Sequence, residues 1–407
     1  MTAAAESESW QGRRLEAEVG AVAHGGHCVA RVEGRVVFVR HALPGERVVA
    51  LVTEDRGGSF CRADAVEVLS ASQDRVEPPC PLATPGGCGG CDWQHATESA
   101  QRELKAAVVA EQLRRLATVD REVVVEPLPG GPLGWRTRVR MAVDSGGRPG
   151  FRAHRSHRVI AAAHCPISVP GLVESVVDTT WPREAELELT MDGAGSTHTR
   201  EVRPSRSDKR APRRARRQVA VESAARRRWR LSAFGFWQVH PAAADLLASV
   251  VDEWSSASPG ACAWDLYSGV GLFAAGLAGQ VGPDGSVYAV ESARDAVADG
   301  ERNLTDLPAV HFVKGTVDSV IRAGRLPDPE VVVLDPPRKG AGHAVVDGIA
   351  AAGPARVVYV ACDPAALARD IARFATHGYR LDRLRAFDLF PMTHHVECMA
   401  SLVRVRD

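Results

Sequence analysis

Apolar and polar positions along the chain follow two different rhythms. Between residues 14 and 70, short apolar runs such as Val36-Val37-Phe38-Val39 and Val48-Val49-Ala50-Leu51-Val52 are broken by Gly25-Gly26, Gly34 and Pro44-Gly45. Runs rich in β-branched residues between such breaks predict strands, about five of them here, enough for a small closed barrel. Pro78-Pro79 ends that pattern, and Glu98 to Leu116 then places Leu104, Val108, Leu113 and Leu116 at helical spacing. Further strands are expected in residues 120–195, including Arg138–Val143 and Leu187–Leu189. From about residue 240 the rhythm changes to alternating helix and strand. The strands are expected at Ala263–Tyr267, Val287–Glu291, His311–Val313, Val331–Asp335, Arg356–Ala361, Leu381–Phe387 and Met399–Val403. Helical stretches between the first five imply a mostly parallel sheet covered on both faces. The chain therefore divides into an N-terminal barrel (residues 1–75), a central mixed α+β domain (76–235) and a C-terminal α/β domain (236–407).

Composition narrows the class. A length of 407 residues, 45% apolar and 25% charged, is that of a globular protein with room for several cores. No apolar run of about 18 residues is present, and Met1 to Gln11 lacks the basic-then-apolar layout of a signal peptide, so a cytoplasmic protein without a membrane partner is expected. In that compartment nine cysteines do not form a disulfide framework. Net charge is zero, but Arg200 to Arg230 carries thirteen Arg or Lys against Glu201, Asp208 and Glu222. Such a block is expected as a surface loop or insertion that meets nucleic acid, with Trp229 placed to stack on a base. Arg136, Arg138 and Arg140 alternate along one strand and would share a face that tracks a phosphate backbone.

The chemistry concentrates at strand ends. Asp265-Leu-Tyr-Ser-Gly-Val-Gly271 reads as strand, tight turn and helix start, where glycines let backbone approach a ligand. Glu291 ends the next strand, where a carboxylate can take both hydroxyls of a ribose. The turn lacks the third glycine of a dinucleotide fingerprint and any phosphate-cradling Lys-Ser/Thr, which favours a nucleoside cofactor without pyrophosphate; S-adenosylmethionine fits. Asp335-Pro336-Pro337 is followed by Arg338 instead of the aromatic that amino-group methyltransferases stack on a base, so a nitrogen target is disfavoured. Cys362 lies at the end of Val357-Val-Tyr-Val-Ala361, before Asp363-Pro364. A thiolate there can add to carbon 6 of a pyrimidine and turn carbon 5 into a nucleophile. A base must then remove the carbon-5 proton, and Glu397 is the candidate.

Together these motifs resemble the 5-methyluridine RNA methyltransferases, in particular the 23S rRNA uracil-C5 type with an N-terminal TRAM domain and an iron–sulfur cluster. The resemblance spans nearly the whole chain and rests on Phe236-Trp-Gln238, Asp265–Gly271, Asp335-Pro-Pro-Arg338, Tyr359-Val-Ala-Cys-Asp-Pro364 with Leu367-Ala-Arg-Asp370, and Phe390-Pro-x-Thr-x-His-x-Glu397. It implies a TRAM, OB-like barrel, a central domain with a metal cluster and a Rossmann-like S-adenosylmethionine-dependent domain. It implies cofactor contacts at Gln238, Tyr267, Glu291 and Asp335, a nucleophile at Cys362 and a base at Glu397. His240, Leu272 and Asp363 depart from the family pattern, which has Asn at each of these places.

Cys80, Cys88 and Cys91, spaced C-x7-C-x2-C among paired glycines, with Cys165 as a fourth ligand, suit either zinc or an iron–sulfur cluster. The resemblance implies [4Fe–4S]. Cys28, Cys61, Cys262 and Cys398 are expected in the core. The expected protein is a monomer whose partner is RNA, ribosomal ahead of transfer RNA, with the target uracil flipped out of its stack. A transfer-RNA enzyme, or a non-catalytic RNA-binding assembly factor on the same fold, are the other readings.

Overall fold

A computed structural model describes residues 9–202 and 217–405. The first five strands, β1 (Arg14–Val22), β2 (Cys28–Val32), β3 (Arg35–Arg40), β4 (Arg47–Glu54) and β5 (Phe60–Ser70), close into a barrel of order β1-β2-β3-β5-β4. Alternation along β1 sends Leu15, Ala17 and Val19 inward, as a two-residue period requires.

The middle of the chain holds α1 (Glu98–Ala117), β6 (Val125–Pro127), β7 (Arg138–Val143), β8 (Pro149–Arg152), β9 (Val159–Ala161), the single turn α2 (Glu174–Val177), β10 (Glu186–Met191) and β11 (Thr197–Val202). Thr97 caps α1 by accepting from the Ala100 N–H. Five of these strands form a sheet of order β11-β10-β7-β8-β9. A hairpin follows, β12 (Val219–Ala224) and β13 (Arg227–Ser232), turning through Ala225 and Arg226, both at positive φ.

The expected surface loop over 200–230 is therefore corrected where the chain is described: its ends are paired strands, while residues 203–216 lie outside the described residues. Trp229 is fully buried in this hairpin and donates to the Ala224 carbonyl, so it stacks on no base. Of the three arginines expected on one phosphate-tracking face, Arg138 is mostly buried against Glu222 and donates to the Ala233 and Gly235 carbonyls. Arg140 remains exposed beside Glu186 and Glu188.

The rest is a layered α/β unit: α3 (Ala243–Ser255), β14 (Cys262–Leu266), α4 (Leu272–Val281), β15 (Ser286–Glu291), α5 (Arg294–Asn303), β16 (Val310–Lys314), α6 (Val317–Arg322), β17 (Val331–Leu334), α7 (His343–Ala352), β18 (Arg356–Ala361), α8 (Pro364–Ala375), β19 (Tyr379–Asp388) and β20 (Glu397–Arg404). Its eight-stranded sheet runs β16-β15-β14-β17-β18-β20-β19-β6. Strands β14 to β18 are parallel and β20 is antiparallel to β18. Both faces of β18 are covered: Val358 and Val360 enter one core, and Val357, Tyr359 and Ala361 the other. This explains its unbroken apolar run. The middle of the chain lends α1 and β6 to this unit, α1 packing on α8 and β6 pairing with β19. Among the described residues no helix is long and apolar enough to cross a membrane.

Candidate active site

In an open parallel sheet, ligands collect beyond the carboxyl ends of the strands, where the order reverses. Here β14 is that point, with β15 and β16 on one side and β17 and β18 on the other. Tyr267 follows β14, Glu291 ends β15, Asp335 follows β17 and Cys362 follows β18. Glu397 opens β20, and because that strand is antiparallel its start lies at the same edge. All five, with Gln238, line one cavity of about 730 Å3.

The turn after β14 is built for close approach. Tyr267, Gly269 and Gly271 all have positive φ, a conformation that costs Tyr267 free energy and that only a determined surrounding maintains. A Cβ at Gly271 would lie 2.9 Å from Leu304 and Phe312, so the helix start admits no larger residue. Asp265 is fully buried and accepts from the Ala274 N–H at 2.9 Å, tying strand to helix. Burial pushes its carboxyl up to about 8, with Asp335 and Glu291 acting in the same sense. Glu291 is held by the Gly269 N–H at 3.1 Å and the Ala293 N–H at 2.6 Å.

The cavity is acidic: Glu291, Asp295, Asp299, Asp335 and Glu397 line it against Arg200 and Arg338. Asp299 is committed to Arg217 and Arg302. A donor set of this kind, with a glycine-lined floor, fits a cationic sulfonium on an adenosine. Phe236, 71% exposed, stands in the cavity wall beside Gln238.

At the reacting end, burial raises the Cys362 thiol to about 12, helped by Glu397 and Asp335 and opposed by Arg338. Burial and the nearby Asp335 also raise Glu397 well above the usual carboxylate range, again opposed by Arg338. Arg338 donates to His395 Nε2 at 3.0 Å. Burial, then His394 and Arg338, push His395 down to about 3, which leaves that nitrogen free to accept. The loop behind Asp335-Pro336-Pro337 is fixed by Asp370, which accepts from the Ala341 N–H at 2.7 Å and the Tyr359 hydroxyl at 2.6 Å.

The departures from the family pattern have local explanations. Asp363 caps α8 by accepting from the Ala366 N–H at 2.8 Å, a task Asn performs equally well, and it also meets His24 of the barrel at 3.0 Å. His240 is buried against Trp135 and accepts from the Ala242 N–H at 3.2 Å. Leu272 packs in the core at the start of α4. Sequence reasoning missed the His24–Asp363 link and the His395–Arg338 pair. The two histidines just ahead of Glu397, polar residues beside an apolar strand, were the available signal for the second.

None of the nine cysteines forms a disulfide. Cys28, Cys61 and Cys398 are buried as expected, whereas Cys262 is only partly covered. Cys80, Cys88, Cys91 and Cys165 line one small cavity of about 40 Å3. Among the described residues no group of three or more His, Cys, Asp or Glu side chains is arranged to hold a metal ion. Burial raises the Cys88 and Cys165 thiols, while Arg136 and backbone N–H groups act in the opposite sense and would steady an anionic group there.

Comparison with known proteins agrees with this layout. Residues 8–66 match the TRAM domain family, and residues 327–405 match the family described as tRNA (Uracil-5-)-methyltransferase. A Streptomyces coelicolor protein described as an uncharacterized RNA methyltransferase is 47% identical, covering 98% of this chain and 94% of its own. A Bifidobacterium longum protein of the same description is 38% identical, over 96% and 97% of the two chains. Among solved structures, the Pyrococcus abyssi tRNA (uracil-54, C5)-methyltransferase in complex with S-adenosyl-L-homocysteine shares the fold, with a TM-score of 0.71 over 95% of this chain and 99% of that one at 22% identity.

Proposed function

The chain belongs to the TRAM-domain RNA (uracil-5-)methyltransferase family, and on that premise we propose that it forms 5-methyluridine in RNA through Cys362 and Glu397. The observation that carries the reading is the placement of a thiol and a buried carboxylate in one cavity with the acidic, glycine-turned pocket. S-adenosylmethionine supplies an electrophilic methyl group when bound. Gln238, Tyr267, Glu291 and Asp335 would hold it, Glu291 through the ribose hydroxyls.

Cys362 gives its proton to solvent, and its thiolate sulfur bonds to carbon 6 of the uracil, moving the electron pair of the 5,6 double bond to carbon 5. Carbon 5 takes the methyl group, and S-adenosylhomocysteine leaves. Glu397 removes the remaining carbon-5 proton; that electron pair restores the double bond as the carbon–sulfur bond breaks and the thiolate returns. Arg338 favours both anionic states, since it lowers the proton affinity of Cys362 and of Glu397.

The substrate we assign is 23S ribosomal RNA, which the four cysteines support through the cluster-bearing relatives they resemble. Cys80, Cys88, Cys91 and Cys165 would hold a [4Fe–4S] cluster, which would cross-link the glycine-rich loop to the segment that follows β9. A colourless, anaerobically purified protein with stoichiometric zinc and no iron would overturn the cluster. Transfer RNA is the second reading, favoured by the descriptions of the matched family and of the archaeal structure. The test of function is to map 5-methyluridine in ribosomal and transfer RNA from strains with and without the gene. A 23S site that vanishes on deletion and returns with the wild type, but not with Cys362→Ala, is expected; unchanged 5-methyluridine in both RNAs sinks the assignment.

A further inference from the structure

Glu397 follows a segment, residues 388–396, that has no regular structure of its own after Asp388, yet is largely buried. Apart from its own turns and the Arg338–His395 bond, its side-chain-mediated polar contacts come from residues 92–105. Lys105, fully buried in α1, donates to Asp388 Oδ1 at 2.5 Å and to the Phe390 carbonyl at 3.0 Å. Gln101 accepts from the Met392 N–H at 2.8 Å. The Met392 carbonyl accepts from the Asp92 and Trp93 N–H groups at 2.9 and 3.1 Å. Asp92 Oδ2 accepts from the His394 N–H at 3.1 Å and lies 2.6 Å from His394 Nδ1. Every second residue of the segment is thus gripped: 388, 390, 392 and 394.

The grip holds a conformation the segment would not keep alone. Met392 has φ of 68°, a left-handed geometry that costs a non-glycine residue free energy and persists only where contacts over-determine it. The segment's next residues are His395, bonded to Arg338, and Glu397.

We propose that Asp92, Gln101 and Lys105 are positioning residues for the proton-abstraction step, acting by fixing the segment that aims Glu397 at Cys362. The inference rests on the catalytic reading above. It specifies which half of the reaction depends on them: carbon–sulfur bond formation and methyl transfer need Cys362 and the cofactor cavity, whereas release of the methylated base needs Glu397 in place. Loosening the grip therefore stalls the enzyme after methyl transfer, with RNA still attached to Cys362.

The test uses the full-length protein with Asp92→Ala, Asp92→Asn and Gln101→Leu. Hydrogen exchange over residues 389–397, S-adenosylmethionine affinity and the fraction of denaturation-resistant protein–RNA adduct are measured side by side. Expected are faster exchange in Asp92→Ala and Gln101→Leu, cofactor affinity within about threefold of wild type, and product release slowed on the order of tenfold to a hundredfold with adduct accumulating, since small displacements of a catalytic group cost that much. Asp92→Asn, which still accepts from the His394 N–H, restores most of the release rate. The proposal is overturned if adduct stays at the wild-type level while exchange rises, or if cofactor affinity falls in step with release, the mark of general loosening. A wild-type protein that methylates no RNA would strike the catalytic reading, whereas wild-type exchange over 389–397 in all three variants would strike the grip itself.

Discussion

Carried one step past the last β18–β20 pair, the strand register places Cys362 across the sheet from Glu397. Strands β18 and β20 pair Ala361 with Cys398 in antiparallel register, so the next residue of one faces the preceding residue of the other. Directly opposed residues project to the same face of a sheet. That face is the one occupied by Val358, Val360 and Met399, on the cavity side, so the register puts thiol and carboxylate on one face, and the segment before β20 settles how the carboxylate is aimed.

In the proposed mechanism both groups react in their deprotonated forms, and both are held above their ordinary pKa values. Their active fractions therefore grow as pH rises, by about tenfold per unit for the thiol over the range below its pKa. The kcat/KM for RNA methylation is expected to climb through neutrality to at least pH 9. Removing Arg338 as Arg338→Gln removes the cation that lowers both values, so the whole profile moves to higher pH, with a loss of about tenfold at pH 7 that narrows on the alkaline side. Initial rates between pH 6 and 9.5 check this; a profile that falls above pH 7 in both proteins would contradict it.

The His24–Asp363 pair joins the barrel to the residue after Cys362. The bond to Asp363 raises His24 above 6.5, so its contribution to stability is present below about pH 6.5 and fades as pH rises through the folded-state value. Burial works against ionising Asp363, but the bonds from His24 and Ala366 hold it below 3.8, so its share is lost as pH falls through that lowered value. The pair is half-exposed, and no more than about 1 kcal/mol is expected from it. Thermal melts of wild type and His24→Gln should differ most near pH 5 to 6 and converge above pH 8. Asp363→Asn, which keeps the helix cap, should abolish that pH dependence.

Lys105 and Asp388 form a buried ion pair. Burial lowers the Lys105 pKa, offset by the carboxylate beside it. Lys105→Ala leaves a buried charge unpaired and is expected to destabilise the protein by about 3–5 kcal/mol, measured by urea unfolding. Replacing both partners with apolar residues should recover most of that loss. A single substitution costing less than 1 kcal/mol would show that water reaches the pair.

Trp229 was expected to stack on RNA and instead fills the core between hairpin and catalytic layer. Trp229→Ala is expected to cost about 3–5 kcal/mol of stability. RNA affinity measured well below the melting temperature should stay near the wild-type value; a large selective loss would return the residue to the interface.

The legible parts of the chain were those in which local pattern and final environment coincide. The run before Cys362 is apolar because both faces of β18 are covered, and the observed strand spans Arg356–Ala361, as the sequence predicts. Helix α1 ends within one residue of its expected bound. Trp229 was misread because a tryptophan among arginines has the same local signature whether its strand partner buries it or not. Arg138 was misread for a similar reason: alternation placed it on a face, but only the hairpin carrying Glu222 shows that this face is covered. The link between Asp92 and His394 spans 302 residues of sequence, and no local periodicity encodes it.

The pairing of β6 with β19 bears on how the polypeptide assembles. Val125 to Pro127 emerges from the ribosome long before Ala386 to Asp388, its partner along the sheet margin. The early strand must wait for the last two strands to be synthesised, and until it docks the β19 margin offers unpaired backbone groups to other nascent chains. A fragment cut at residue 236 would keep every residue proposed for chemistry and still lack the strand that seals this margin, so its characteristic failure would be self-association.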